Sequence, residues 1–173
     1  MQDDGPDCVY ESPIPYEAVR IHAAAMYCSD GRIGEHMDDF LQQGLNLPRY
    51  DRLTCPGGPV ALAGRLLALW ETRGVEDQLR FLIGVHDVKY MVLVAHAGCA
   101  YYGQRLGLEP ARAVQEQHAD LEAASTQVQR IDPTIEVAGF FAHLEGSLVR
   151  FERVFASPGM DGRLKRWRSA IRV

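Results

Sequence analysis

The run Tyr90-Met91-Val92-Leu93-Val94-Ala95 constrains this chain more than any other segment. Six successive apolar residues without alternation fit a strand covered on both faces, as strands are inside a parallel sheet. Val19 to Tyr27 is a second apolar, β-tolerant stretch, and Arg52-Leu53-Thr54-Cys55 reads as a short strand punctuated by Pro56-Gly57-Gly58-Pro59. Helical patterns separate them. Glu35 to Gln43 is stopped by Gly44, Val60 to Arg73 is closed by Gly74, and a shorter helix covers Val75 to Ile83. A long helix from Glu109 to Arg130 carries Ala111, Val114, His118, Leu121 and Val128 down one side, and Ile135 to His143, Glu145-Gly146 and Ser147 to Phe155 form a terminal hairpin. This order predicts an α/β fold, with a mainly parallel central sheet flanked by helices and a C-terminal antiparallel hairpin.

A chain of 173 residues, 47% hydrophobic and 24% charged, is expected to form a single globular domain over 1–173, with a loose N-terminal leader at 1–15 and a basic tail at 157–173. The tail carries Arg163, Lys165, Arg166, Arg168 and Arg172, read as solvated or packed on a partner subunit. A net charge of -5 argues against nucleic acid as a partner. No stretch approaches the ~18 apolar residues of a membrane span, so no membrane partner is expected. The start, Met1 to Asp7, is acidic and unlike a signal peptide, which predicts a cytoplasmic protein with reduced thiols.

The chemistry concentrates in two short strings that each follow a strand, Cys28-Ser29-Asp30-Gly31-Arg32 and His96-Ala97-Gly98-Cys99. In parallel sheets, ligands sit beyond the carboxyl ends of the strands. Two thiolates and an imidazole form a donor set suited to zinc, and three protein ligands leave a fourth position for water. Zinc lowers the pKa of that water from about 15.7 to about 7. Asp30 has two readings: a fourth metal ligand that closes the site, or an acceptor for the bound water. A bidentate pair with Arg32 would hold Asp30 ionised and off the metal. Cys8 reads as a bystander and Cys55 as a small buried filler.

Taken together, Cys28-Asp30-Arg32 and His96-Cys99 resemble the Cys-x-Asp-x-Arg and His-x-x-Cys signatures of the β-class carbonic anhydrases. The resemblance runs from about Val19 to Phe155 and is closest to the compact microbial type. It implies Zn2+ on Cys28, His96 and Cys99, Asp30 and Arg32 as a gating pair, and reversible hydration of carbon dioxide to bicarbonate by zinc-bound hydroxide. It also implies a homodimer or higher homo-oligomer. Counting from Cys28 places Gln42, beside Gln43, where some members use a glutamine supplied across the interface. The amides of Gly57 and Gly58 would suit bicarbonate. His36 is the first candidate for carrying the proton out.

The chain also departs from the family pattern. Ala95 and Ala100 stand where glycines are usual, and Thr54-Cys55-Pro56 replaces a basic-Asn-Ala segment that shapes the pocket. A pocket lined by Thr54, Cys55 and Pro56 would suit a less polar substrate. Two alternatives follow: the same zinc chemistry on carbonyl sulfide or carbon disulfide, or a non-catalytic zinc-binding scaffold.

Overall fold

The computed structural model describes residues 9–65 and 69–170, with side chains for all of these except 69–71 and 165–170. Five strands form one sheet: β1 (Ala23–Cys28), β2 (Asp51–Cys55), β3 (Tyr90–His96), β4 (Glu136–Glu145) and β5 (Leu148–Ala156), in the order β2-β1-β3-β4-β5. The first three pairings are parallel, and only the β4–β5 hairpin is antiparallel. The predicted α/β architecture is the observed one.

The apolar run of β3 is explained by what lies on each side of it. Val92 and Val94 join Ala25, Tyr27 and Phe140 on one face, packed by Met37 and Leu41 of α1 (Gly34–Asp39) and its continuation. Met91, Leu93 and Ala95 join Ala24, Met26 and Phe141 on the other. That second face is covered by Leu79 of α2 (Leu69–His86) and by Leu121, Ala124 and Val128 of α3 (Pro110–Ile131). Burial on both faces removes the alternation that a half-exposed strand would show.

Several elements differ from their expected extents. β1 begins at Ala23 rather than Val19, which is 74% exposed. The helix expected over 35–43 is α1 followed by a π-helical turn over Phe40–Gly44. The expected helix from Val60 to Arg73 is replaced at its start by a 3-10 turn, Gly58–Leu62, and α2 then runs unbroken through Gly74. A glycine in a helix interior costs about 1 kcal/mol relative to alanine, which the burial of Val75 and Leu79 on the same helix offsets. On α3, Ala111 is exposed, and the buried side instead includes two polar residues, Gln117 and Asp120.

The basic segment is helical as far as it is described. Residues Pro158–Ala170 form helix α4, with Met160 and Leu164 buried against the sheet and the Arg163 guanidinium 3.7 Å from the centre of the Tyr90 ring. The side chains of Lys165, Arg166 and Arg168, together with Arg172 and Cys8, lie outside the described residues. No helix among the described residues is long and apolar enough to cross a membrane.

Docking of α4 predicts that Met160→Ala costs about 2–5 kcal/mol, read from the urea midpoint. Wild-type stability in that variant would mean that the segment does not pack on the sheet.

Candidate metal centre

Parallel pairing places the ends of β1 and β3 side by side, with Tyr27 opposite Val94 in the register. Cys28 closes β1 and His96 closes β3, so both side chains emerge at the carboxyl edge of the sheet. The chain then turns through Gly98, whose φ is +67°, and brings Cys99 back to the same point. The carbonyl of Cys99 accepts from the amides of Tyr102 and Gly103, which start a π-helical turn over Tyr101–Arg105. As a result, the donor atoms of Cys28, His96 and Cys99 all lie within 4.8 Å of one another, and the two sulfurs are 3.8 Å apart. All three residues are buried, with His96 only 2% exposed.

The imidazole is prepared for a metal. Its Nδ1 lies 2.9 Å from the carbonyl oxygen of Ala97. A carbonyl can only accept, so Nδ1 carries the proton and Nε2 holds a free lone pair. Nε2 is buried and has no hydrogen-bond partner among the described residues. Leaving such an atom unsatisfied costs about 1–3 kcal/mol, and a metal ion shared with the two sulfurs would remove that cost. The residues present therefore fit a metal ion.

The glycine pair expected to cradle an anion has a different arrangement. Gly57, at φ +80°, donates its amide to the Cys28 sulfur over 3.4 Å. Gly58, at φ +57°, lies so close to β1 that a Cβ would stand 2.7 Å from the carbonyl carbon of Tyr27 and 2.8 Å from the amide nitrogen of Cys28. Both the backbone angle and the space require glycine there. The turn is tied to β1 a second time, by the Ser29 amide on the Cys55 carbonyl at 3.1 Å.

Asp30 is turned onto Arg32. The guanidinium Nε lies 3.0 and 3.1 Å from the two carboxylate oxygens and Nη2 lies 2.5 Å from Oδ2, while the Arg32 amide donates to Oδ1 at 3.0 Å. The hydrogen bonds from Arg32 hold the Asp30 carboxyl down at about 2. The two sulfurs lie within hydrogen-bond distance of each other, and that hydrogen bond, with further help from the Gly57 amide, brings Cys28 down to about 4. The same interaction with Cys28, together with burial, pushes Cys99 above the ordinary thiol range.

A cavity of about 460 Å³ opens beside this cluster, lined by Cys28, Asp30, Arg32, Pro56, Gly57 and Tyr101 among others. Of the three residues expected to shape it, only Pro56 does so; Thr54 is exposed, and Cys55 directs its sulfur at the Gly58 carbonyl. Gly58 and Gln42 are also absent from the lining. Gln42 sits half-buried on the π-helical turn after α1. On the other side of Arg32, His36 and His96 border a second cavity of about 250 Å³, together with Asp30 and Leu148. Ala95 is buried in the core with Ala24 and Met26 of β1, and Ala100 lines the larger cavity.

Sequence reasoning missed the polar support behind the cluster. Gln117 accepts from the His96 amide at 3.2 Å, and Asp120 accepts from the Tyr102 hydroxyl at 2.7 Å and from Arg65 Nε at 2.8 Å on each oxygen. The available signal was a polar pair three residues apart, flanked by Ala113, Leu121 and Ala124 on one helix side.

Comparisons with known proteins bear on the family and the fold. A family model described as "Putative carbonic anhydrase" matches residues 19–151. An uncharacterized protein of Rickettsia conorii is 25% identical over 136 residues, covering 76% of this chain and 70% of its own. Another from Rickettsia bellii is 25% identical over 124 residues, covering 69% and 74%. Among solved structures, the β-carbonic anhydrase isoform I of Trichomonas vaginalis shares the fold, with a TM-score of 0.59 at 13% identity, over 84% of this chain and 88% of that one.

Two outcomes follow from the geometry. Gly58→Ala combines a left-handed backbone with a backbone clash and is expected to cost about 1–3 kcal/mol or more, visible in urea unfolding; wild-type stability would show that the turn can move away from β1. In metal-free protein, ultraviolet thiolate absorbance is expected to show one thiolate from this pair at neutral pH. Between the folded Cys28 value of about 4 and the ordinary thiol value of 9.0, the unfolded chain binds more protons, so this pair adds stability as pH rises. Above 9.0 the sign reverses, because Cys99 retains its proton in the folded state alone. A pair that stays fully protonated at neutral pH would contradict the lowered Cys28 value.

Proposed function

The chain belongs to this carbonic anhydrase family, and on that footing we propose that it catalyses the reversible hydration of carbon dioxide to bicarbonate with a zinc ion held by Cys28, His96 and Cys99. The observation that carries the reading is the convergence of two buried thiols and a correctly protonated imidazole at the carboxyl edge of the sheet. Two sulfurs each about 2.3 Å from one tetrahedral zinc ion lie about 3.8 Å apart, and 3.8 Å is the separation of Cys28 and Cys99. When bound, the ion supplies a Lewis acid and a water whose pKa falls toward neutrality.

The remaining work falls to the protein. The Gly57 amide withdraws charge from the Cys28 sulfur, which tempers two thiolates that would otherwise neutralise the ion and weaken its Lewis acidity. The Nδ1–H donated to Ala97 fixes the His96 ring and keeps Nε2 for the metal. Asp30 sits on the cavity wall beside Cys28. Arg32 keeps it ionised and off the donors, where its oxygens can accept a hydrogen bond from a reacting water. Arg32 thereby also decides whether the fourth metal position stays open.

A homodimer belongs to the same reading, supported by apolar N-terminal residues exposed in the single chain: Val9, Ile14, Tyr16 and Val19 are 74–94% exposed.

The test is stopped-flow hydration of carbon dioxide by zinc-loaded protein over about pH 6.5–9, bracketing a water pKa of about 7 or above, with Cys99→Ser as the control. Zinc-dependent turnover that rises with pH and vanishes in the control is the expected result. Stoichiometric zinc without turnover at any pH would refute the assignment. Arg32→Ala is expected to retain zinc while losing about 10–100-fold in rate; full activity there would remove the gating role.

A further inference from the structure

We propose that Asp120, which contacts none of the metal donors, is a positioning residue of the metal centre, holding the Cys99 turn through Tyr102 and the Gly57-Gly58 turn through Arg65. This inference rests on the metal-centre reading above. Three segments that share no secondary structure meet at its carboxylate. Oδ2 accepts the hydroxyl of Tyr102 at 2.7 Å, and Tyr102 is the third residue after Cys99, with its amide bonded to the Cys99 carbonyl. Both oxygens accept Nε of Arg65 at 2.8 Å, and Arg65 lies two residues beyond Ala63, which caps the 3-10 turn that Gly57 opens. Arg65 also reaches Glu116, which Arg112 holds from the solvent side. Gln117, three residues before Asp120, accepts the amide of His96 itself. One side of α3 therefore holds the backbone at two of the three donors and anchors the turn whose amide grips the third.

The burial of these groups makes the arrangement costly unless every member is satisfied. Tyr102 is 1% exposed, Gln117 2% and Asp120 5%. At 2.7 Å the Tyr102 hydroxyl donates to the Asp120 carboxylate, which has only acceptors to offer. Removing that hydroxyl leaves a buried carboxylate one partner short and frees the Cys99 turn to shift. Partners one shell behind a metal typically change affinity 10–100-fold when lost. Asp120 is itself too far removed in the bonding chain to be a ligand, so its effect must pass through the turn it fixes.

The test uses full-length Tyr102→Phe and Asp120→Asn, with Leu121→Ala as a core variant beside them on α3. Zinc affinity is measured by chelator competition, and the thiolate-to-metal band of cobalt-loaded protein is recorded alongside. Tyr102→Phe, the milder change, is expected to fold and to bind zinc about 10–100-fold more weakly with a shifted cobalt band. Leu121→Ala is expected to lose stability while keeping wild-type affinity and spectrum. Wild-type zinc affinity and an unchanged band in Tyr102→Phe would overturn the proposal. So would equal weakening in Leu121→Ala, which would assign the effect to general stability. Wild-type protein that binds neither zinc nor cobalt would overturn the metal-centre reading, and this proposal with it.

Discussion

Everything at the site depends on the parallel register of β1 and β3. Because both strands run the same way and end one residue out of step, Cys28 and His96 leave the sheet at neighbouring points despite the long stretch of sequence between them. That register is held by burial on both faces. Slipping either strand by one residue would exchange the two sets of packed side chains, moving Met26 and Leu93 from the α2–α3 face into the α1–α4 face. The geometry of the donors is thus maintained by hydrophobic packing spread along whole strands, and only secondarily by bonds at the site.

Bringing two thiols and an imidazole together in a buried place creates an electrostatic problem that the local backbone solves. The Gly57 amide donates to the Cys28 sulfur and the Cys99 sulfur lies within hydrogen-bond distance of it, so negative charge there has partners to meet it. Such a close approach of one backbone to another is possible only without side chains, which is why the turn is made of glycines at positive φ. The glycine pair and the metal donors therefore form one structural unit. The Asp30–Arg32 pair stands outside that unit, on the cavity wall, and is more exposed: the Arg32 side chain is 76% accessible. A contact of that kind can exchange partners at little cost.

Parts of the molecule were legible from sequence for identifiable reasons. The uninterrupted run at 90–95 can mean only burial on two sides, and β3 is where it was expected. The hairpin at the end was marked by its turn, with Gly146 at φ +61°. The helix at 60–73 was misread because alanine and leucine content speaks to helix propensity, whereas Gly57 and Gly58 commit the following residues to a 3-10 turn packed beneath β1. Gly74 was misread as a stop because a glycine signals a helix end only where the chain actually turns left-handed, and its neighbours Val75 and Leu79 keep α2 going. Gln117 and Asp120 escaped notice because a polar residue on a helix reads as solvent-facing until its partners are known.

By itself, the sequence determined the class of fold, the two short strings whose side chains cluster at the sheet edge and the glycines that let two backbones touch. These depend on residue type and short spacing, which are local properties. Only the tertiary structure decided that the Gly57 amide meets sulfur, that Asp30 rests on Arg32, that Thr54 and Cys55 leave the cavity to Pro56, and that Asp120 gathers Arg65 and Tyr102. Each of those depends on where distant segments come to lie. The packing of both faces of the sheet sets that placement, and no single stretch of the chain contains it.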